Sequence, residues 1–403
     1  MENEVAYITK PKGFKAAGIH AGLKANGNRD LGLVVSECPC VASGVYTSNL
    51  VKGHSLVRTI DRINSGVKPR AVIVNTRIAN SGVGKPGLED AEVMAKAVAE
   101  SLGITSDEVL TGSTGTIGVR LPIEKIVNAV PSLVSELSDS EESAHNAALA
   151  IMTTDTKPKE ATATITLKDG KEVTISAIAK GSGMIHPNLA TMISIFTTDA
   201  AIEKSLLDKL LKKAVSHTFN RVSVDGDTSV CDMVVILANG MAEASIEEGS
   251  EDEVLFEEAL TSISNDIARM IAADGEGATK FVEIEVFGAR NSNDAKLIVT
   301  SVARSPLVKT AIFGEDANIG RVLTAVGYSG AQFNPDKIDI LINDMLFFHD
   351  GICVDFDEDE AAKLLAEHDI HVVIKLCEGD AYDRMYTCDF SYDYVKINGS
   401  YRT

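Results

Sequence analysis

Residues 180–200, KGSGMIHPNLATMISIFTTDA, hold the densest collection of residue types from which a reaction could be built. Gly181, Gly183 and Pro187 fall within seven residues and forbid a regular helix, so the spacing predicts an irregular turn over 181–188 that lets backbone amides approach other atoms. Thr191 follows, at the head of an apolar, β-branched run. Taken alone, a threonine there reads as a buried strand residue. The chemical reading rests on the lack of another convincing nucleophile: no G-x-S-x-G elbow is present, and a serine or cysteine needs a base beside it. A threonine can instead use its own α-amine as the base, and that amine exists only if the preceding bond has been cut. The small Ala190, at the end of an irregular loop, is compatible with such a cut.

A second segment, 111–122 (TGSTGTIGVRLP), is rich in glycine. Its amides could hold a phosphate or the oxyanion of a tetrahedral intermediate, and the plain alternative is a tight turn. It matches neither the phosphate loop nor the dinucleotide fingerprint. In 274–280 (DGEGATK), Glu276 sits between glycines after a long helix, where the plain reading is a helix C-cap with a solvated carboxylate. Segment 225–229 (DGDTS) has its glycine too early for a calcium loop and lacks the glutamate at the twelfth position. Cys38 and Cys40 are the only neighbouring cysteines, with no histidine nearby, so no zinc site is expected and all six thiols read as free.

The elements that must position these residues alternate in type. An apolar run at 71–75 predicts a strand, and 88–103 a helix closed by glycine. Residues 161–179 predict a hairpin turning at Asp169 and Gly170. Helices are expected over 203–218, 252–273 and near 316–327, and strands over 281–288, 296–303, 338–342 and 371–376. The run 136–145 reads as a solvated loop or helix start. Tyr394, Val395, Ile397 and Tyr401 suggest a packed C-terminal tail. Strands adjacent to strands with helices interspersed favour an α/β fold of the α+β kind, with mixed sheets, over a doubly wound parallel sheet.

The chain has 403 residues, 45% hydrophobic and 24% charged, with a formal net charge of −20. Such a chain can bury a large core divided into two or more domains. The negative field opposes binding to nucleic acid or anionic lipid. The N-terminus lacks an export signal and no stretch of ~20 apolar residues occurs, so a cytoplasmic location is expected.

Seven stretches together resemble one family, the ornithine acetyltransferases, or glutamate N-acetyltransferases, of arginine biosynthesis. They are STGTIGxxLP (113–122), MTTDTxPK (152–159), KGSGMIHPNLATM (180–192), FNRVSVDGDTS (219–229), DGEGATK (274–280), SPLVKTAIFGEDANIGR (305–321) and CDFSYDYVKINGSYRT (388–403). They run in order along nearly the whole chain.

The resemblance implies a self-processed enzyme of the N-terminal-nucleophile type. Breakage between Ala190 and Thr191 would give an α fragment, 1–190, and a β fragment, 191–403, that share the site and assemble as α2β2. It implies a ping-pong reaction in which Thr191 takes acetyl from N-acetylornithine and passes it to glutamate. The implied oxyanion donors are Thr114 and Gly115. The implied substrate contacts are Lys180, Thr191, Glu276, Asn398 and Thr403, with either Thr153 or Thr154. A lysine and a glutamate suit the α-carboxylate and δ-amine of ornithine. No metal or bound cofactor is implied, and whether acetyl-CoA also serves as a co-substrate is not legible.

Two stretches and two single residues depart from the family pattern. Residues 75–84 (NTRIANSGVG) place Arg77 and Ile78 where smaller or polar residues are usual, 46–57 (YTSNLVKGHSLV) differs from the usual segment, and Cys231 and Ile319 replace a common asparagine and tryptophan. The departures at 46–57 and 75–84 bear on acyl and amine specificity. They leave open a paralogue with another substrate, or a self-processed amidase or aminopeptidase in which water replaces glutamate; a non-enzymatic binding protein is a further alternative.

Overall fold

The computed structural model describes residues 5–186 and 192–400. Ala190, Thr191, Thr403 and Tyr401 lie outside the described residues. Contacts divide the chain into two units, one formed by 1–220 with 227–267, the other by 221–226 with 268–403.

The strands of the first unit are, in chain order, β1 (Phe14–Ile19), β2 (Leu31–Ser36), β3 (Val41–Tyr46), β4 (Ala71–Asn75), β5 (Val109–Ser113), β6 (Lys159–Thr166), β7 (Glu172–Lys180), β8 (Ile193–Thr198), β9 (Ala201–Ile202), β10 (Met233–Ala238) and β11 (Ser245–Ile246). They form a four-stranded sheet, β1-β2-β4-β5, a five-stranded sheet, β3-β10-β8-β7-β6, and the small pair β9-β11. Parallel pairs β4/β5 and β8/β10 sit among antiparallel ones, which bears out the mixed-sheet expectation. Strands β4 (AVIVN), β8 (ISIFTT) and β10 (MVVILA) are buried along their whole length. A strand covered on both faces has no solvent side to alternate toward, hence the apolar runs of β4 and β10.

The hairpin read around Asp169 and Gly170 is β6/β7, with Gly170 at φ +83°. The helix read at 88–103 is Lys85–Leu102, with Pro86 in its first turn and Gly103 left-handed at its end. The polar run at 136–145 is a helix start: Ser140 accepts the Ser143 N–H at the head of Glu141–Ile151.

In the second unit, β12 (Phe281–Ala289), β13 (Asp339–Ile342), β14 (Met345–His349), β15 (Ile352–Cys353), β16 (Asp369–Lys375) and β17 (Ala381–Cys388) form one sheet ordered β15-β14-β13-β16-β12-β17. One expectation fails here. Residues 296–303 are not a strand but part of the helix Ser292–Arg304. Asn291 caps it by accepting the Asp294 N–H, and Ala295, Ile298, Val299 and Val302, at helical spacing, are fully buried. The cap and the three-and-four spacing override the strand preference of the β-branched residues. The packed tail is also corrected. Residues Tyr392–Gly399 form a helix that half-buries Tyr394 and Ile397 while leaving Val395 70% exposed.

Among the described residues, no helix is long and apolar enough to cross a membrane. All six cysteines are free thiols.

Candidate active site

The glycine-rich segment after β5 is a turn locked against the chain that follows β4. Thr114 N–H donates to Asn75 O (3.1 Å) and Thr116 N–H to Arg77 O (2.9 Å). Between them the Gly115 N–H meets no acceptor among the described residues. Gly115 has φ +127°, and a Cβ added there would lie 2.2 Å from the Arg77 carbonyl carbon and 2.7 Å from the Ile78 nitrogen. Only glycine lets the two chains approach so closely. Arg77 is itself left-handed at φ +77°, an uncommon conformation for a side-chain-bearing residue that marks stored strain. Beneath the turn a chain of buried hydrogen bonds runs from Asn80 Nδ2 to Ser55 (3.1 Å), Ser55 to Ser113 (2.7 Å) and Ser113 to Asn75 Oδ1 (2.6 Å). Each partner has one donor to give onward, so the network fixes the backbone that presents Thr114 and Gly115.

Lys180 closes β7 and is buried. It pairs in register with Ile193 of β8, and Ile193 with Met233 of β10, so Lys180, Ile193 and Met233 stand in a row across the sheet. Asp155 organises the near side. Its Oδ1 accepts Lys159 Nζ (2.8 Å) and the Gly181 N–H (2.7 Å), and its Oδ2 accepts the Thr153 N–H (2.9 Å). Burial alone would raise the Asp155 pKa, but Lys159, Lys180 and the Gly181 N–H hold it well below the usual carboxylate range. Thr153 is thus tied to Asp155, and both Thr153 and Thr154 are half-buried. Lys24, half-buried, donates to Arg29 O and Met152 O (2.8 Å each). Burial lowers its pKa, against the opposing pull of Asp30 and Asp155.

On the far side of the row, Asp232 is fully buried immediately before β10 and accepts the Met192 N–H through Oδ1 (3.1 Å). Burial pushes its carboxyl well above the usual range, outweighing Lys180, the Met192 N–H and the hydroxyls of Ser229 and Thr47. Cys231 is buried too, its thiol pushed up by burial, and donates to Ala79 O (3.3 Å). Gly53 N–H donates to Val230 O, Thr47 N–H to Asp232 O and His54 N–H to Asn80 O. The two early departures from the family pattern, 46–57 and 75–84, therefore meet Cys231 in one cluster beside Asp232.

In the second unit the loop bearing Glu276 is folded against the chain after β17. Asp389 accepts the N–H groups of Thr279 (2.8 Å) and Lys280 (2.9 Å) and the Thr279 hydroxyl (2.7 Å). Ser391 donates to Gly277 O. A Cβ on Gly277 would strike the Tyr394 nitrogen at 2.4 Å, and one on Gly275 the Cys388 sulfur at 2.6 Å. Glu276 is buried and accepts Asn398 Nδ2 through Oε2 (2.8 Å). The solvated C-cap reading of Glu276 is thereby overturned: the loop carries the carboxylate inward, to a helix more than a hundred residues downstream.

The structure thus pairs Glu276 with Asn398, surrounds Lys180 with Asp155 and Asp232, and holds Thr114 and Gly115 on a rigid turn. Sequence reasoning missed Asp155, Asp232, Asn75, Ser55 and Asp389. Asp155 and Asp389 lie inside quoted motif stretches, and position within them was the available signal.

Comparison with known proteins decides the lineage. The sequence profile of the ArgJ family matches residues 15–403. The chain belongs to the ArgJ family. Its relatives include the arginine biosynthesis bifunctional protein ArgJ of Caldanaerobacter subterraneus subsp. tengcongensis, 47% identical over 98% of this chain and 98% of that protein. The protein of the same name from Bacillus subtilis is 42% identical over 98% and 96%. Among solved structures, the ArgJ protein of Bacillus halodurans is 41% identical over 50% of this chain and 96% of that one, with a TM-score of 0.49. The resemblance read from the seven motif stretches holds, and the chain is an enzyme of the ArgJ family.

Proposed function

We propose that this ArgJ-family enzyme cuts its own chain between Ala190 and Thr191 and then moves acetyl from N-acetylornithine to glutamate through an acetyl-Thr191 intermediate. The relatives' names give the place in arginine biosynthesis. The observation that carries the chemistry is the turn at Thr114 and Gly115: an unclaimed N–H beside a hydroxyl, held without freedom to relax, is what an acyl-transfer oxyanion requires.

The α-amine released on Thr191 takes the proton of its hydroxyl as that oxygen attacks the acetyl carbonyl. Thr114 and Gly115 bear the negative charge on the carbonyl oxygen, ornithine leaves, and glutamate's amine reverses the sequence. Lys180 serves a substrate carboxylate and Glu276, steadied by Asn398, a substrate amine. Thr403 and one of Thr153 or Thr154 complete the contacts. Acetyl-CoA enters as a co-substrate rather than a bound cofactor, in keeping with the word bifunctional in the relatives' names. The fragments 1–190 and 191–403 act together as α2β2 in the cytoplasm.

A donor and acceptor panel tests this. The purified protein is mixed with N-acetylornithine or acetyl-CoA, with and without glutamate, and its denatured mass is measured. Two fragments and glutamate-dependent ornithine release are expected. Ornithine release indifferent to glutamate would make the enzyme a hydrolase, and an intact 42.8 kDa chain would remove the nucleophile.

A further inference from the structure

Lys24 is a cation for which the acyl-transfer scheme above has no use. It lies in the connection between β1 and β2, which is folded around one carboxylate. Asp30, fully buried, accepts the N–H groups of Ala21 (2.6 Å), Leu23 (2.7 Å) and Lys24 (2.8 Å). Three charge-assisted bonds to a buried carboxylate fix the Lys24 backbone. Its ammonium then donates to the carbonyls of Arg29 and Met152. The second of these bonds ties it to the segment read as touching substrate. The Met152 carbonyl and the Thr153 N–H belong to one peptide group, and that N–H donates to Asp155. Asp155 in turn accepts the N–H of Gly181, the residue after Lys180. One peptide group and one carboxylate therefore link Lys24 to Lys180.

The charges of this cluster leave Lys24 without a counter-ion in contact. Asp155 is taken by Lys159 (2.8 Å), and Asp30 by three backbone N–H groups and His20 (3.1 Å). Lys24 makes no ion pair among the described residues, and its two bonds to carbonyls use two of the three hydrogens of an ammonium. Burial, the largest influence on its pKa, lowers it against the pull of Asp30 and Asp155. A cation that has given up water and gained only carbonyls is stabilised most by an anionic ligand.

The two substrates of the proposed reaction differ in what they need. Both carry an α-carboxylate, the group read for Lys180. At the far end N-acetylornithine has an amine and glutamate a carboxylate. Glu276 suits the first and repels the second, so the acceptor needs a cation of its own. We propose that Lys24 is that cation, giving its third hydrogen to the γ-carboxylate of glutamate and so selecting a dicarboxylic acceptor. This deepens the acetyl-transfer reading and rests on it.

The test sets glutamate against glutamine, its uncharged isostere. The enzyme is supplied with N-acetylornithine and each acceptor in turn, N-acetylglutamate and N-acetylglutamine are quantified by mass spectrometry, and the ratio of the two kcat/KM values is the readout. Wild type should favour glutamate. Lys24→Met should lower that ratio roughly 10- to 100-fold, the scale of a lost hydrogen bond to a charged group. A lysine that only braced its loop would, once removed, slow both acceptors alike and leave the ratio unchanged. Both acceptors are measured on one preparation, so a misfolded fraction cancels. Lys24→Gln keeps an N–H donor for the loop carbonyls without the charge, covers the case in which the methionine variant does not fold, and should lose the preference too. Lys24→Arg restores the charge and should restore part of the ratio. A ratio within about threefold of wild type in an active Lys24→Met or Lys24→Gln enzyme, or a wild type that takes glutamine as readily as glutamate, overturns the role and leaves the transferase standing. A wild type that acetylates neither acceptor overturns the transferase reading itself.

Discussion

Replacing Gly115 by alanine tests the proposed oxyanion role of its turn most directly. The new methyl would stand 2.2 Å from the Arg77 carbonyl carbon and 2.3 Å from its oxygen, both backbone atoms, so no side chain can swing aside. The turn has to open, and opening moves the Gly115 N–H off its line. Loss of one oxyanion donor costs about 2.7–4 kcal/mol, a fall of roughly 10²–10³ in kcat. KM for N-acetylornithine should change little, because the interaction forms only as charge develops on the carbonyl oxygen. Strain at φ +127° adds ~1–3 kcal/mol of lost stability. Gly118→Ala is the control. It has φ +80° but nothing within 4 Å of an added Cβ, so it should lose ~1 kcal/mol in urea unfolding and keep its kcat. The assay is steady-state ornithine release with glutamate as acceptor. A Gly115→Ala enzyme whose kcat stays within about threefold of wild type, with its stability reduced as expected, would refute the assignment of Gly115 as a donor.

Asp155→Asn takes away the buried carboxylate that Lys159 pairs with and should cost about 3–5 kcal/mol in denaturant unfolding. The pH dependence has a definite sign. The folded pKa of Asp155 lies below its ordinary value, so its stabilisation is complete above that value and is lost as pH falls through the folded pKa. The wild-type unfolding midpoint should therefore drop more steeply than that of Asp155→Asn as pH falls below about 4. Glu276→Gln keeps a hydrogen-bond acceptor for Asn398 but loses the charge, and should raise KM for N-acetylornithine about 10- to 100-fold with unfolding unchanged. Cys231→Asn enlarges a side chain whose sulfur already lies 3.0 Å from where a Cβ on Gly53 would be, and should destabilise by about 1–3 kcal/mol in urea; an unchanged midpoint would show that the cluster has room to spare.

Much of the fold was legible because its signals are local. The Asp169–Gly170 hairpin, the helix ending at Gly103 and the strands at β4 and β12 each carry their own turn residue, cap or apolar run. The strands β1, β2 and β3 were not read, since FKAAGI, LGLVVS and VASGVY mix glycine and small residues and become strands by pairing with partners distant in sequence. The helix Ser292–Arg304 was misread because KLIVTSVA is rich in β-branched residues, while the deciding signal, the Asn291 cap, lies outside the run. At the site, Glu276 stood out by its glycines, but its pairing with Asn398 spans 122 residues and leaves no local trace. Asp232 left no local trace for a similar reason, and Asp155 showed only as a position inside the 152–159 stretch. What makes each special is burial, beside Lys159 and Lys180 for Asp155 and under the Met192 N–H for Asp232, and that is a property of the folded sheet.

The five-stranded sheet is built so that the proposed cut between Ala190 and Thr191 would leave its fragments joined. The Ala190–Thr191 bond falls between β7 and β8, which pair from Ile175↔Thr198 to Lys180↔Ile193. Strand β10, also beyond the cut, pairs with β3 from Met233↔Tyr46 to Ala238↔Val41. In the order β3-β10-β8-β7-β6, the two strands from beyond the cut lie between strands from before it. Separating the fragments would therefore break two ladders at once and expose β8 and β10, which are buried along their whole length. The proposed cut would remove one covalent link between β7 and β8 and leave the pairing of both strands as it is. If the chain is cut as proposed, the fragments would be held by the interior of the sheet rather than by the bond between them, so a free amine could be made without loosening β8 and β10.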